Sequence, residues 1–412
     1  MKGTALLVAS MFMLLPNRSE CHDPFPRPAT FRTLVTTPLA IEGLTADEEG
    51  RLYTVGRAGV AGSPCPVWRV GGGSPPALTV VGNIPAPSPT TQCSPSGLAF
   101  DAGGDVYVAD GSQVYRLTPD ESAPPDARVF AMGVPGTNGL AFDRDGNLWT
   151  GDGTTGQGRV WRIAPDGTVS EVFRIPPMRN STALGGNLSG DGVGRQARTF
   201  PPGTLANTMG GQDLVANGLA FDVNGDLLVA DTARGALWKV AFDAEGDIRT
   251  PRGCDPTLAA DTLCLEALWA ADPRLEGADG IALDRAGNVW VDANERNAVV
   301  VVTRHRQVSE LFRNPPDATT LLRNAGPLEF PSSPVLGRKR FCTSSSDGNR
   351  RDNAPNSAGE VGPAGPARGK ISCLDQPLTI PGLPLPVELL PVALDAEDAV
   401  SEHLAGEGLS HR

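Results

Sequence analysis

Five stretches of the chain repeat one frame: "IEGLTADEEGRLYTVG" (41–56), "PSGLAFDAGGDVYVAD" (95–110), "TNGLAFDRDGNLWTGD" (137–152), "ANGLAFDVNGDLLVAD" (216–231) and "ADGIALDRAGNVWVDA" (278–293). The residue before the first glycine varies, but always carries a side-chain oxygen: Glu42, Ser96, Asn138, Asn217 and Asp279. A degenerate sixth copy, "EFPSSPVLG" (329–337), puts Ser332 in that slot. The two carboxylates and two amides are hard oxygen donors. They suit a hard divalent cation, calcium first and magnesium or another divalent next, with water filling the remaining positions. Zinc prefers nitrogen or sulfur, and no histidine or cysteine occupies a slot. A single Asn-Gly or Asp-Gly is ordinarily a turn, and polar residues at a channel mouth can simply bind water. Here the dipeptide precedes an apolar strand, a separate turn follows it, and all six slots carry oxygen.

The slots converge only if the repeats stack around an axis. Within 216–240, "GLAFD" reads as a strand, "VNGD" as a turn, and "LLVAD" and "ALWKV" as two further strands. Asn224-Gly225 and Asp145-Gly146 supply the positive φ of a tight hairpin. The third strand recurs as "VWRV" (67–70), "VYRL" (114–117), "VWRI" (160–163) and "VVVV" (299–302), rich in the β-branched and aromatic types that a pleated surface packs. Such units cannot bury both faces alone, and radial stacking leaves only short, protected edges. The expected fold is all-β: a six-bladed β-propeller of four-stranded antiparallel blades around a central channel, over residues 30–386. "FRTLVTT" (31–37) is expected to supply the outer strand of the last blade, with "GKISCL" (369–374) beside it. A long insertion at about 176–213 interrupts the frame and reads as a lid or a loose excursion. "NRRDNAPNSAGEVGPAGPARG" (349–369) reads as a second excursion, and 387–412 as a flexible acidic tail.

Composition bounds the partners. With 47 acidic and 35 basic residues the net charge is −12, which argues against nucleic acid. Residues 1–22 have a basic start, an apolar run and a proline break, the shape of a secretory signal with no defined cleavage site; it is too short to span a bilayer. No other stretch is apolar enough for stable membrane insertion. Export, secreted or periplasmic, favours disulfides among Cys65, Cys93, Cys254, Cys264, Cys342 and Cys373, which fall into sequence-local couples. Six cysteines nevertheless allow 15 connectivities. Cys21 follows "RSE", which lacks the small residues expected before a lipidated cysteine.

The repeat "NGLAFDxxGxLxVAD", with Glu-Gly opening blade one and Asp-Gly opening blade five, resembles the senescence-marker-protein (regucalcin)/gluconolactonase family. That family is kin to calcium lactonases, paraoxonases and diisopropylfluorophosphatase. The resemblance implies a catalytic divalent metal held by Glu42, Asn138, Asn217 and Asp279, and a small-molecule lactone or ester as substrate. The expected activity is metal-dependent hydrolysis, with the cation polarising a carbonyl and activating water, and Asp279 handling the proton; a cation-bound carboxylate is a weak base, so metal-bound hydroxide is the alternative to it. Ser96, Ser332, Asp152 and Asp231 are candidates for the channel mouth or the substrate, although Asp110, Asp152 and Asp231 better suit capping of the next turn. Blade one reads "IEGLTAD" rather than the family's glutamate-glycine-proline, and the family's substrate-contacting arginine has no aligned counterpart. The competing reading is a non-enzymatic secreted binding module with structural calcium. A propeller lyase is disfavoured because none of His22, His305, His403 and His411 occupies a slot, and a serine hydrolase because G-x-S-x-G is absent.

Overall fold

A computed structural model describes residues 25–176, 216–275, 277–314, 326–346 and 368–386. The expected signal segment, most of the insertion and of the second excursion, and the acidic tail lie outside these residues. Twenty-four strands, β1 to β24 in chain order, form six antiparallel sheets of four strands each. The innermost strands are β2 (Ile41–Ala46), β6 (Pro95–Phe100), β10 (Thr137–Phe142), β14 (Ala216–Phe221), β18 (Ala278–Leu283) and β22 (Pro331–Leu336). Each opens one copy of the repeat frame. The sixth sheet runs β22, β23 (Phe341–Ser345), β24 (Lys370–Leu374) and finally β1 (Phe31–Thr36), so the N-terminal strand closes the ring as expected. Among the described residues the only helical elements are three-residue 3-10 turns.

The blades adhere through apolar faces. Trp149, Phe173, Phe221 and Trp238 pack blade three on blade four, while Trp290, Phe341 and Phe31 pack blade five on blade six. Burying each such side chain stabilises the fold by roughly 1.5–3 kcal/mol. The aspartate that ends the inner strand explains the rest of the frame. Asp143 Oδ1 accepts the turn amides of Asp145 (3.0 Å) and Asn147 (2.9 Å), while Oδ2 accepts Trp149 Nε1 (2.7 Å). Asp284 repeats this with Ala286, Asn288 and Trp290. In blades one and two Asp47 and Asp101 take the tyrosine hydroxyls of Tyr53 and Tyr107. Blade four, with Leu228 at the aromatic position, uses Lys239 Nζ on Asp222 instead (2.7 Å). Gly146 (φ 77°) and Gly225 (φ 83°) supply the left-handed residue of these hairpins.

Among the described residues three disulfides join Cys65 to Cys93, Cys254 to Cys264 and Cys342 to Cys373, the sequence-local pairing among the possible ones. Below the slots the axis holds a largely apolar cavity of about 110 Å3, lined by residues such as Leu98, Phe100, Leu140, Phe142, Leu219 and Ile281. Leu385 and Pro386 lie at its lower end. The segment leading there is tied down by backbone bonds, Gly382 N to Gly337 O (3.1 Å) and Leu383 N to Leu283 O (2.9 Å).

Candidate metal centre

All six slots sit on a local irregularity. In every blade the register of the inner strand shifts between its first residue and the position one or two beyond the slot: Ile41/Leu44, Pro95/Leu98, Thr137/Leu140, Ala216/Leu219, Ala278/Ile281 and Pro331/Ser333. A bulge of this kind bends the strand and re-aims a side chain out of strict alternation. The glycine after the slot has a separate cause. A Cβ on Gly43 would stand 2.1 Å from Ser96 O, on Gly97 2.3 Å from Asn138 O, and on Gly139 2.7 Å from Asn217 O. On Gly218 it would stand 2.5 Å from Asp279 O, and on Gly280 2.3 Å from Ser332 O. Each repeat glycine therefore seats the slot carbonyl of the next blade, and the first slot is reached from the last blade by Ser344 Oγ, which donates to Glu42 O. The six slot residues form one ring at the upper rim, where the inner strands begin.

Their side chains divide into two groups. Ser96 Oγ donates to Thr137 O (3.1 Å), and Ser332 Oγ to Phe330 O (3.0 Å), so both serines bond to the frame. The other four carry the stronger donors. Asn138 Nδ2 lies over Gly153, where a Cβ would come within 2.3 Å of it. Asn217 Nδ2 donates to Thr232 Oγ1 (3.1 Å), and Asn294 Nδ2 donates to Asp279 Oδ2 (2.9 Å). Glu42 Oε2 forms an ion pair with Arg57 Nη2, and Arg57 Nε donates to Pro95 O (3.1 Å). Asp279, Asn217 and Asn138 are buried, and Glu42 is partly so.

The aspartates that end the second strands return to this rim opposite the inner-strand starts, as expected. Asp152 accepts the amides of Thr154 and Thr155 and pairs with Arg159 (3.3 Å). Asp231 accepts Arg234 N (3.0 Å), Arg234 Nη1 (2.8 Å) and Trp238 Nε1 (3.0 Å). Both are fully buried and cap turns. Asp110 takes Ser94 N on Oδ1 (3.0 Å), its Oδ2 has no hydrogen-bond partner among the described residues, and burial pushes its carboxyl up.

Arg57, Thr232, Asn294 and Asp292 were not singled out from sequence; for two of them a signal was available. Arg57 follows the second strand of blade one, where blades two and three carry glycine; a cation at that offset beside a glutamate slot was the available signal. Asp292 stands on β19 (Val289–Ala293), where blades two, three and four have Ala109, Gly151 and Ala230; the inversion of "AD" to "DA" marks it. It is fully buried against blade six, where Thr343 Oγ1 is its hydrogen-bond partner. Burial raises its carboxyl well above the ordinary value, and the nearby charge of Asp279 raises it further.

Residues 194–327 match the family model described as "SMP-30/Gluconolactonase/LRE-like region". That span holds the inner strands of blades four and five, with Asn217 and Asp279. The likeness read from the repeats is borne out. Solved structures similar to this chain include a luciferin-regenerating enzyme (14% identity, TM-score 0.53, covering 86% of this chain and 97% of that one). Another is a calcium-binding protein, regucalcin, from Agrobacterium tumefaciens (16%, 0.51, 86% and 96%). A third is the PQQ-bound aldose sugar dehydrogenase of Streptomyces coelicolor (16%, 0.51, 85% and 100%). At such identities the likeness shows the fold alone, and these three names already span different chemistries. No curated protein matches the chain. No helix among the described residues is long and apolar enough to cross a membrane.

Proposed function

We propose that the chain is a divalent-cation-dependent hydrolase of lactone or ester bonds, exported from the cell, with its centre at the upper rim of the propeller axis. The family match supports a lactonase-type function at the level of the family. The three disulfides support an extracellular or periplasmic setting. The observation that carries the reading is the division of the slot ring: two serines bond to the frame, while Glu42, Asn138, Asn217 and Asp279 bring two carboxylates and two amides to one rim.

That donor set fits calcium, which takes oxygen ligands in flexible geometry, and magnesium next. Glu42, Asn138, Asn217 and Asp279 would hold the cation, which when bound supplies Lewis acidity toward a carbonyl oxygen and toward water. Arg57 fixes one oxygen of Glu42, and Asn294 fixes Oδ2 of Asp279, so neither carboxylate is left to swing. Asp279, nearly fully buried, is the residue that takes the proton of the attacking water. The mouth accepts a small-molecule substrate.

Asp279→Ala tests this. The protein and the variant, both checked for folding by far-UV circular dichroism, are assayed on lactones, aryl esters and phosphotriesters with calcium and with chelator. The expected result is calcium-dependent turnover that the variant loses while staying folded. No turnover of any substrate by the unaltered protein would favour a binding module; chelator-resistant turnover would remove the cation from the reaction.

A further inference from the structure

Four of the six slot residues have a neighbour at one fixed offset. Asn217 meets Thr232 and Asp279 meets Asn294, each fifteen residues on. The same offset gives Arg57 for Glu42 and Gly153 for Asn138. Ser332 meets Ser346 (2.9 Å) at fourteen. The offset follows from the fold: the residue just past the second strand returns to the rim beside the start of the first. A second ring of residue types therefore surrounds the first, and its chemistry tracks it. Asp279 receives an N–H donor, Glu42 an ion-paired guanidinium, Asn217 a hydroxyl, and Asn138 an empty seat.

Thr232 shows what the second ring does. Its Oγ1 donates to the carbonyl of Ala278 (2.7 Å), an atom that can only accept. The hydroxyl proton is thereby committed, and only lone pairs face Asn217. The amide can approach at 3.1 Å only through Nδ2–H, and its oxygen is turned the other way. Ala278 directly precedes Asp279, so the same hydroxyl ties the slot of blade four to the slot of blade five.

We infer that Thr232, fifteen positions after the slot of blade four, is the positioning residue that makes Asn217 present its oxygen at the axis. This rests on the cation-binding reading above. The variants are Thr232→Val, which keeps the shape and removes the hydroxyl, and Thr232→Ser, which keeps the hydroxyl. Calcium affinity is measured by calorimetry, and the Asn217 side-chain NH2 is followed by 15N NMR in chelator. Thr232→Val is expected to bind calcium about two- to tenfold more weakly, the range set by the net worth of one hydrogen bond, and Thr232→Ser to behave like the natural protein. The Asn217 amide protons should be protected from exchange in the natural protein and in Thr232→Ser, and unprotected in Thr232→Val. Unchanged affinity in Thr232→Val, or unprotected amide protons in the natural protein, overturns the inference. If no form binds a divalent cation but the protection pattern holds, the orientation of Asn217 stands and the cation reading fails. Should Thr232→Val not fold, unprotected amide protons in Thr232→Ser would still refute the role of the hydroxyl.

Discussion

Gly218→Ala probes whether backbone contact between blades sets the geometry of the ring. A Cβ at this position would stand 2.5 Å from Asp279 O, 2.7 Å from Gly280 Cα and 2.8 Å from Ile281 N. Every one of these atoms is backbone of β18, so no side chain can swing aside. Ordinary contact begins near 3.4 Å, so the inner strands of blades four and five must separate by about 0.9 Å at the slots. Overpacking of this kind costs about 1–3 kcal/mol. The lower chain entropy of unfolded alanine offsets roughly 0.4–1 kcal/mol of it. Calcium–oxygen distances span only about 0.3 Å, so a shift of that size between Asn217 and Asp279 cannot leave both in reach. The variant should therefore lose about tenfold or more in calcium affinity and also unfold at lower urea. Gly225→Ala is the control. Its Cβ meets nothing within 4 Å, but φ is +83°, so it should lose stability and keep its affinity. The reasoning is refuted if Gly218→Ala binds calcium like the natural protein.

Asp292→Asn tests the buried carboxyl of blade five. The folded-state pKa is raised above the ordinary 3.8, so the native state holds a proton that the unfolded chain releases as pH climbs past about 4. Stability is then lost at up to ~1.4 kcal/mol per pH unit until the folded pKa is reached, and the amide variant escapes that loss. The difference in unfolding free energy, variant minus natural, should grow with pH above 4; a flat difference from pH 4 to 8 contradicts it. Replacing Cys65 and Cys93 together by alanine opens a loop with a sequence separation of 28, worth about 3–4 kcal/mol in the chain-entropy account. Urea unfolding should show this loss, and a change below about 1 kcal/mol would assign the bridge a smaller role.

The blades were legible because each strand and turn is coded locally. Asn224-Gly225 marks a hairpin, "LLVAD" a strand, and the missing outer strand of blade six could be sought in "FRTLVTT" once the copies were counted. The six slots were legible for the same reason, since each lies at a fixed place in a repeated frame. What escaped lies across strands rather than along them. The bulge that aims Asn217 is a property of pairing between β14 and its neighbour, and no single residue type announces it. Arg57, Gly153, Thr232 and Asn294 sit at a constant offset from their slots, but differ in type, so the frame hides them. Asp292 was visible as an inverted dipeptide; its significance depends on blade six packing over it, which spacing along the chain does not express. The constancy of the repeat glycines was plain, and its cause, a neighbouring carbonyl pressed against each one, was not.

The largely apolar axial well beneath the slots has a kinetic corollary. A hydrated ion crossing that largely apolar shaft would shed more water than the lining replaces, so a cation held as proposed would exchange chiefly through the mouth, the path proposed for the substrate. Occupancy of that doorway would then imprison the ion, and chelators should strip it more slowly from the liganded protein than from the empty one.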